Sequence, residues 1–427
     1  MTRATSSGRV PQVGPDDPVS GQSGERGNVD GGLVRVWARH GRLIGSVGIV
    51  YLAIAATGRL AYALPHLLRD VAPWSALDLK YRYNEVGQWF AGNQVYGILD
   101  GAVYPPASYA ILWPLLGWMP LDRARLVWAV STLAAAAAVG LLVYRLCASA
   151  APRNRLLVAG LAFAAYPLQL SIFVGQLGIH LVAAAAWGAF LILRDEPPGW
   201  WTDALAGLLL AASLVKPTLS VPLVVCALLA SSRARPAILV ASIYLVLTLI
   251  AVAAQPEGLL VLLRDWLEIA GRRVTIEGGV PNLHQALAWA GVRSWMAPSS
   301  LFMLSAMTLW MWHRREADPW VLMGVAAIVA RFWAHSALYD DGFLLLAMVA
   351  LFRVVSRATA DRHRAQVWLF AVAWGALLTP TWFFFDFNPP LVRLIHSGQA
   401  ILWLAVMVSL MAFANVRPVP TPPRSSE

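Results

Sequence analysis

The chain has 427 residues, of which 58% are hydrophobic and 13% are charged, and its formal net charge is +10. A soluble globular protein has roughly 25% charged residues, so the composition argues against an ordinary soluble domain and indicates a multi-span membrane protein. Nearly all of the basic residues are Arg, because Lys80 and Lys216 are the only lysines. The basic residues cluster between apolar segments, which is typical of membrane proteins and not of a nucleic-acid site. Cys147 and Cys226 lie inside apolar runs and show no metal-site or disulfide spacing.

The two ends of the chain are polar. Residues 1–42 begin with a Gly-, Pro- and Ser-rich stretch, and we predict a disordered cytoplasmic tail there. The start of this tail lacks the short basic region and apolar core of a signal peptide. Residues 414–427 are predicted as a second disordered tail, which leaves residues 43–413 as the membrane domain.

Apolar segments follow one another through this domain. A helix needs about 20 apolar residues to cross the hydrocarbon core. We predict twelve spans, at residues 43–64, 124–146, 156–173, 176–193, 201–215, 218–230, 236–254, 299–312, 319–333, 338–352, 365–384 and 391–413.

The distribution of Arg indicates the sidedness of these spans. With twelve spans and both termini cytoplasmic, the inner loops contain most of the basic residues, as the positive-inside rule requires; they are Arg145, Arg153, Arg155, Arg233, Arg235, Arg314, Arg315, Arg353, Arg357, Arg362 and Arg364. Residues 201–230 could instead be one span kinked at Lys216-Pro217. This alternative would move the later Arg clusters to the outside, against the positive-inside rule. We therefore keep twelve spans and expect a bacterial plasma membrane protein with a long outer loop at residues 65–123.

The outer loop contains the stretch DLKYRYNEVGQWFAGNQVY. Leu79, Tyr83, Val86 and Phe90 recur at helical spacing, which predicts an amphipathic helix lying flat on the membrane. Asp78 falls at the start of this helix, where it is either a helix N-cap or a functional acid, and spacing alone favours the cap. The segment 104–120 is too short and too rich in Pro to span, so we expect an interfacial or re-entrant piece.

Several other polar segments fall on the same side of the predicted membrane. They are Gly175-Gln176, Lys216-Pro217, residues 280–287, residues 331–341 and residues 385–390. Together they indicate one polar pocket at the outer face. Each has an alternative interpretation: Lys216 as an anchor that snorkels to the interface, His284 and His335 as interfacial histidines, and Asp340 with Asp341 as a solvated pair. The run FFFDF could be part of an aromatic belt.

The outer-loop stretch, followed by YPPASYAILWPLLGWMP, resembles glycosyltransferase family 87, whose members are multi-span GT-C enzymes that use polyprenyl-phosphate sugars. The matching positions are Asp78, Gly92, Tyr96, Tyr104, Pro105 and Pro106. GQLGIHLVAAAAW, LVKPTLSVPL, PNLHQALAW and FWAHSALYDDGFLLLA are similar to later family elements, so the resemblance runs from about residue 45 to 355. Tyr81-Arg82-Tyr83 stands where a Val-Tyr pair is common, and the last two predicted spans carry no matching motif.

The resemblance implies an all-α, GT-C-like bundle with interfacial helices in the first outer loop. It implies that Asp78 is the catalytic base, that His335 assists or shares this role, and that Lys216 binds the donor phosphate. Gln176, His284 and Tyr339 would bind sugar hydroxyls. Further substrate-binding candidates are Lys80, Tyr81, Tyr104, Asn282, Gln285 and Asp340. No metal and no cofactor is expected, because the sequence shows no metal cluster and a lipid-phosphate donor can be used without one.

The implied function is transfer of a sugar, with mannose favoured, from a polyprenyl-phosphate donor to a glycolipid or cell-envelope glycan outside the cell, with inversion. Arabinofuranose is the alternative donor sugar. No nucleic-acid partner is expected. A lipid or sugar transporter or flippase is the competing class, and it predicts ionisable groups at mid-membrane; Arg59 is the clearest charge inside a predicted span.

Overall fold

A computed structural model describes residues 30–99, 101–194, 199–272, 281–357, 360–380 and 389–414. The chain divides into two compact units, Met1–Ile44 and Gly45–Glu427. Within the described residues, all regular elements are helices, which confirms the all-α class. The predicted polar segment at residues 385–390 lies for the most part outside the described residues, as do residues 1–29 and 415–427 of the predicted tails.

The chain begins with four helices, α1 (Asp30–Leu68), α2 (Leu77–Phe90), α3 (Pro106–Leu116) and α4 (Leu121–Leu146). Residues 30–42, predicted as part of a disordered tail, are helical. The polar, Gly-rich composition ends at Gly32, and the mixed apolar and Arg residues that follow continue into the apolar segment as one helix.

The next stretch is broken into short helices, α5 (Pro152–Ala159), α6 (Leu161–Ala164), α7 (Tyr166–Val174), α8 (Gly178–Ile192), α9 (Trp200–Ser213) and α10 (Pro217–Ser231). Proline occupies the first turn of α5, α7 and α10, where its missing N–H and fixed φ angle are tolerated. Residues 201–230 therefore form two helices and not one kinked helix.

The rest of the chain contains α11 (Ala234–Ala253), α12 (Leu259–Arg272), α13 (Leu283–Trp289), α14 (Met296–His313), α15 (Pro319–Phe332), α16 (Leu344–Arg357), α17 (Ala360–Leu378) and α18 (Pro389–Ala414), with short 3-10 helices at Arg293–Trp295 and Leu338–Phe343. Helices α15 and α16 lie almost entirely inside the protein. A Cβ atom at Gly324 would clash with Ala350, so the glycine permits the close packing of these two helices.

Among the described residues, five helical segments are long and apolar enough to cross a membrane: Gly45–Leu68, Leu121–Leu146, Pro152–Val174, Ala234–Ala253 and Arg393–Ala414. The predicted count of twelve spans is not confirmed. Further apolar helices have 10–17 residues, among them Gly178–Ile192, Pro217–Ser231 and Pro319–Phe332. The predicted span 338–352 is a 3-10 helix that leads into α16. Hydropathy identifies apolar helices but does not separate those that span from short ones buried among neighbours.

Helix α2 does not expose its apolar face, in contrast to the prediction of a helix lying flat on the membrane. Leu79, Val86 and Trp89 are fully buried, and α2 packs against α3, α4 and α7. The Trp89 indole donates a 2.8 Å hydrogen bond to the Ala251 carbonyl at the end of α11. The apolar stripe therefore fixes α2 to the protein, which places its first turn beside the elbow between α7 and α8.

Candidate active site

A buried ion pair joins two elements that are distant in sequence. The Lys216 Nζ atom lies 2.7 Å from Oδ1 and 2.8 Å from Oδ2 of Asp340. Only 12% of the Lys216 side chain and 2% of the Asp340 side chain are exposed. Burial alone would lower the pKa of Lys216, but Asp340, Tyr104 and Tyr339 raise it above its usual value, so the group is an ammonium ion. Lys216 is therefore not an anchor that snorkels to the membrane surface.

Local sequence determines where both partners lie. Lys216 is the residue before Pro217, the first residue of α10, and a residue before proline is driven out of the helical region. Its non-helical backbone interrupts the helical path between α9 and α10, and its side chain points inward. Asp340 belongs to the 3-10 helix, where its Oδ2 atom accepts a 2.9 Å hydrogen bond from the Ala337 backbone N–H. The carboxylate is thus held by its own turn as well as by Lys216.

Asp78 lies beside this pair and is not a helix cap. It is the second residue of α2, whose N-cap is Ala76, and no side chain caps this helix. The Asp78 carboxylate is hydrogen-bonded to the Gln176 side chain. Since the Gln176 Oε1 atom already accepts a 2.9 Å bond from the Leu177 N–H, the amide nitrogen is the group that donates to Asp78.

The elbow between α7 and α8 brings Gln176 to Asp78. Gly175 has a φ of +73°, the left-handed region that favours glycine. A Cβ atom at this position would lie 2.5 Å from the Leu79 Cβ atom. The Gln176 N–H closes the turn by donating a 2.7 Å bond to the Ser171 carbonyl. Only glycine therefore lets the elbow approach α2 closely enough for Gln176 to reach the carboxylate.

The surroundings of Asp78 shift its proton affinity upward. Burial raises the pKa of Asp78 above its usual value, while Arg82, Lys216 and the Gln176 hydrogen bond oppose this effect. A carboxylate with a raised pKa is a stronger base than an exposed one. The arrangement can therefore accept a proton from a hydroxyl group held beside Asp78.

Two tyrosines complete the cluster. Tyr104 precedes α3, is 4% exposed and has its pKa raised by burial. The Tyr339 ring lies beneath Lys216, with 5.3 Å between Nζ and the ring centroid, and the Tyr339 carbonyl accepts a 2.9 Å bond from the Ser171 hydroxyl. The structure thus brings together six of the predicted site residues from five segments: Asp78, Tyr104, Gln176, Lys216, Tyr339 and Asp340.

Two charged residues beside Asp78 were not predicted. Arg82 and Glu85 are 5% and 1% exposed, and the Arg82 Nη1 atom lies 2.7 Å from the Glu85 Oε2 atom. Arg82 also donates a 2.9 Å bond to the Gly101 carbonyl, and its guanidinium stacks on the Tyr104 ring at 4.3 Å from the centroid. The spacing of Asp78, Arg82 and Glu85 at i, i+4 and i+7 was the available signal, since it places all three on one helix face.

Two predicted substrate-binding residues on α2 do not join the cluster. The Lys80 Nζ atom lies 2.6 Å from the Asp70 Oδ1 atom, and 61% of the Asp70 side chain is exposed. Arg125 binds the same carboxylate at 2.7 Å. Tyr81 is 38% exposed. Lys80 points away because the second position after Asp78 lies on another face of the helix, and nothing in the local spacing explains the exposure of Tyr81.

Three predicted residues around α13 make local contacts. The Asn282 side chain caps α13 by accepting a 2.9 Å bond from the Gln285 N–H, and both residues are buried. The His284 Nε2 atom lies 2.6 Å from the Ser300 Oγ atom and 3.2 Å from the Met296 carbonyl. Burial lowers the pKa of His284, so the ring is neutral near pH 7. These contacts join α13 to α14.

The segment between α15 and the 3-10 helix contains His335, which is partly buried. Asp341 is not a solvated residue, because it is 5% exposed and its Oδ1 atom lies 3.0 Å from the Arg331 Nε atom. Burial raises the pKa of Asp341 to about 6. Among the described residues, no group of three or more His, Cys, Asp or Glu side chains could hold a metal ion.

Comparison with protein families gives a match. The family model of glycosyltransferase family 87 matches residues 102–340, which is more than half of the chain. The matched range includes Tyr104, Gln176, Lys216, Tyr339 and Asp340, whereas Asp78 precedes it. No curated protein and no solved structure matches the chain. The chain, a membrane protein, therefore belongs to glycosyltransferase family 87.

Proposed function

We propose that the protein transfers a sugar from a polyprenyl-phosphate donor to a glycolipid or cell-envelope glycan on the outer face of a bacterial plasma membrane. The observation that carries this proposal is the position of Asp78, a carboxylate with a raised pKa, beside the buried Lys216–Asp340 pair. A base and a cation at one place are what a sugar-phosphate donor requires.

In the proposed reaction the acceptor hydroxyl oxygen attacks the anomeric carbon of the donor sugar. The bond between this carbon and the phosphate oxygen breaks, and the polyprenyl phosphate leaves with the bonding electrons. Asp78 accepts the hydroxyl proton as the new bond forms. Because the acceptor enters opposite the leaving group in a single displacement, the configuration at the anomeric carbon inverts.

Lys216 is the proposed partner of the departing phosphate. An ammonium group has three N–H donors, and Asp340 accepts from it with two oxygens. The third donor is available for a phosphate oxygen, whose negative charge grows as the bond breaks. Gln176 and Tyr339 lie close enough to Asp78 and Lys216 to bind sugar hydroxyls, and His335 is the proposed second polar contact.

Mannose is the favoured donor sugar because of the resemblance to polyprenyl-phosphate-mannose-dependent members of the family, and arabinofuranose is the alternative. A transporter or flippase is less favoured. Arg59, the charge inside α1, donates to the Ala164 carbonyl at the end of α6 and to the Leu378 carbonyl at the end of α17. Its guanidinium donates to backbone groups at helix ends, so its presence in α1 is explained without a transported ligand.

The test is transfer of labelled mannose from polyprenyl-phosphate mannose by the purified protein. Asp78→Asn is the decisive variant, and Asp70→Asn is its control, because Asp70 is an acid of the same outer loop that is 61% exposed on its side chain. We expect transfer by the wild type and the control and a loss of at least about 100-fold in Asp78→Asn, the range of general base catalysis. Absence of transfer from both mannose and arabinofuranose donors would refute the proposal.

A further inference from the structure

The buried Arg82–Glu85 pair on α2 has no part in the proposed reaction as described above. Buried ion pairs are costly to assemble, and replacing one with apolar residues is often neutral or stabilising. A pair retained with 5% and 1% exposure therefore calls for a specific role. Its position, one helix turn after Asp78 and on the same face of α2, indicates what this role is.

We propose that Arg82 is a positioning residue that keeps Asp78 ionised and ready to accept a proton, and that Glu85 moderates this effect. The inference rests on the proposed function, in which Asp78 is the base. Arg82 acts through Asp78 and need not touch the sugar. Its positive charge, one helix turn from Asp78, lowers the pKa of Asp78, as does that of Lys216.

The contacts of Arg82 hold its charge in one place. Glu85 binds Nη1 at 2.7 Å, the Gly101 carbonyl accepts from Nη2 at 2.9 Å, and the Tyr104 ring lies under the guanidinium plane. Tyr104 is held in turn by Tyr96, whose hydroxyl donates a 2.7 Å bond to the Tyr104 carbonyl. A guanidinium stacked and hydrogen-bonded in this way cannot swing out to bind a phosphate without breaking three contacts.

Ionisable groups from other segments also face Asp78. They are Tyr104 before α3, Lys216 between α9 and α10, and Tyr339 and Asp340 in the 3-10 helix. Lys216 is bound by Asp340, so the charges of these two largely compensate each other at Asp78. Arg82 has a partner of the same kind, but Glu85 lies one turn further along α2 than Arg82. The pair therefore produces a net positive electrostatic potential at Asp78.

The test measures the pH dependence of kcat/KM for sugar transfer in variants of α2. Arg82→Gln removes the positive charge, so we expect the acidic limb of the profile to move up by about one pH unit. Glu85→Gln leaves the charge of Arg82 uncompensated, so the acidic limb should move to lower pH. Arg82→Lys keeps a charge but loses the stacking geometry, and its limb should stay nearer to the wild type than that of Arg82→Gln.

The matched control is Arg125→Gln. Arg125 is 3% exposed and paired with Asp70, so it is a buried, ion-paired arginine outside the cluster. We expect its limb to coincide with that of the wild type. A purely structural role of Arg82 would reduce activity at every pH. It would not move the acidic limbs of Arg82→Gln and Glu85→Gln in opposite directions.

The outcomes separate this inference from the proposed function. If the wild type transfers no sugar, or if Asp78→Asn remains active, the proposed function fails first. If Asp78 is essential but Arg82→Gln and Glu85→Gln shift the limb in the same direction or not at all, only the role of Arg82 is refuted. A shift in Arg125→Gln as large as in Arg82→Gln would refute it too. If Arg82→Gln does not fold, Glu85→Gln and Arg82→Lys decide by the same criteria.

Discussion

The Lys216 ammonium is held by both carboxylate oxygens of Asp340, at 2.7 and 2.8 Å, across a separation of 124 residues. This pair joins the break between α9 and α10 to the 3-10 helix that follows α15. Because both side chains are largely buried, the loss of one partner leaves the other charge without compensation. The pair is thus a link between two parts of the candidate site.

Removal of either partner should destabilise the protein. We expect Lys216→Met or Asp340→Asn to lower the free energy of unfolding by about 3–5 kcal/mol, the range for one partner of a buried ion pair. The double variant should be less destabilised than the sum of the single variants, because neither charge is then left alone. Denaturation of the purified variants in detergent measures this coupling, and additive effects would contradict a functional ion pair.

The elbow at Gly175 should tolerate no side chain. Gly175→Ala adds a Cβ atom 2.5 Å from the Leu79 Cβ atom and strains a φ of +73°, so it should displace Gln176 from Asp78 and reduce kcat. Gly87→Ala is the control on α2, because a Cβ atom there meets nothing within 4 Å. The control should be neutral or more stable by up to about 1 kcal/mol. Equal activity of the two variants would exclude a positioning role for the elbow.

Asp78 should contribute activity at the expense of stability. Since burial raises its pKa in the folded state, its contribution favours folding below the pKa of the unfolded chain and is lost as pH rises through the folded value. At pH 7 the ionised group therefore destabilises the fold. We expect Asp78→Asn to melt at or above the wild-type temperature while inactive. A clearly lower melting temperature would show that Asp78 has a structural role.

The same raised pKa predicts the pH profile of the wild type. In the proposed reaction transfer requires ionised Asp78, so kcat/KM should fall as pH decreases through the pKa of this group. The fall should begin above the ordinary Asp value of about 3.9. In Gln176→Leu the hydrogen bond that lowers the pKa of Asp78 is lost, so the fall should begin at still higher pH. An unchanged profile in this variant would contradict the assignment of the donor amide.

Arg59 should be important for stability and not for substrate binding. Arg59→Met leaves the carbonyls of Ala164 and Leu378 without their donor, each at about 1–3 kcal/mol. Arg123→Met is a suitable control, because Arg123 is exposed at the start of α4. We expect a lower melting temperature with unchanged KM in Arg59→Met only. A raised KM for the donor would reopen a ligand-binding role within α1.

Parts of the site could be predicted because they depend on local chemistry. The break at Lys216-Pro217 follows from the restriction that proline places on its neighbour, and Gly175 indicates a turn next to Gln176. Asp340 could be assigned to the candidate site, but its partner could not, since nothing in a single sequence indicates which charges meet over 124 residues.

Other errors have physical causes. Lys80 was assigned to the site by proximity in sequence, although residues two apart lie on different faces of a helix. Arg82 and Glu85 were not assigned to the site because charged residues are seldom fully buried. Their spacing on α2 allowed them to pair, but the burial of this helix face depends on tertiary packing. The count of twelve spans is not confirmed, because several of the apolar segments, such as α10 and α15, form helices of only 15 and 14 residues.

The location of the site residues at breaks between helices has a consequence for how the family can vary. Gln176 follows α7 after one residue, and Lys216 follows α9 after two residues. Inserting one residue into either helix would turn everything after it by about 100° and move it by about 1.5 Å, which is enough to point the side chain elsewhere. The register of these helices is therefore constrained more strictly than their composition. Homologous chains should keep the helix lengths that precede these two positions even where the lipid-facing side chains have diverged.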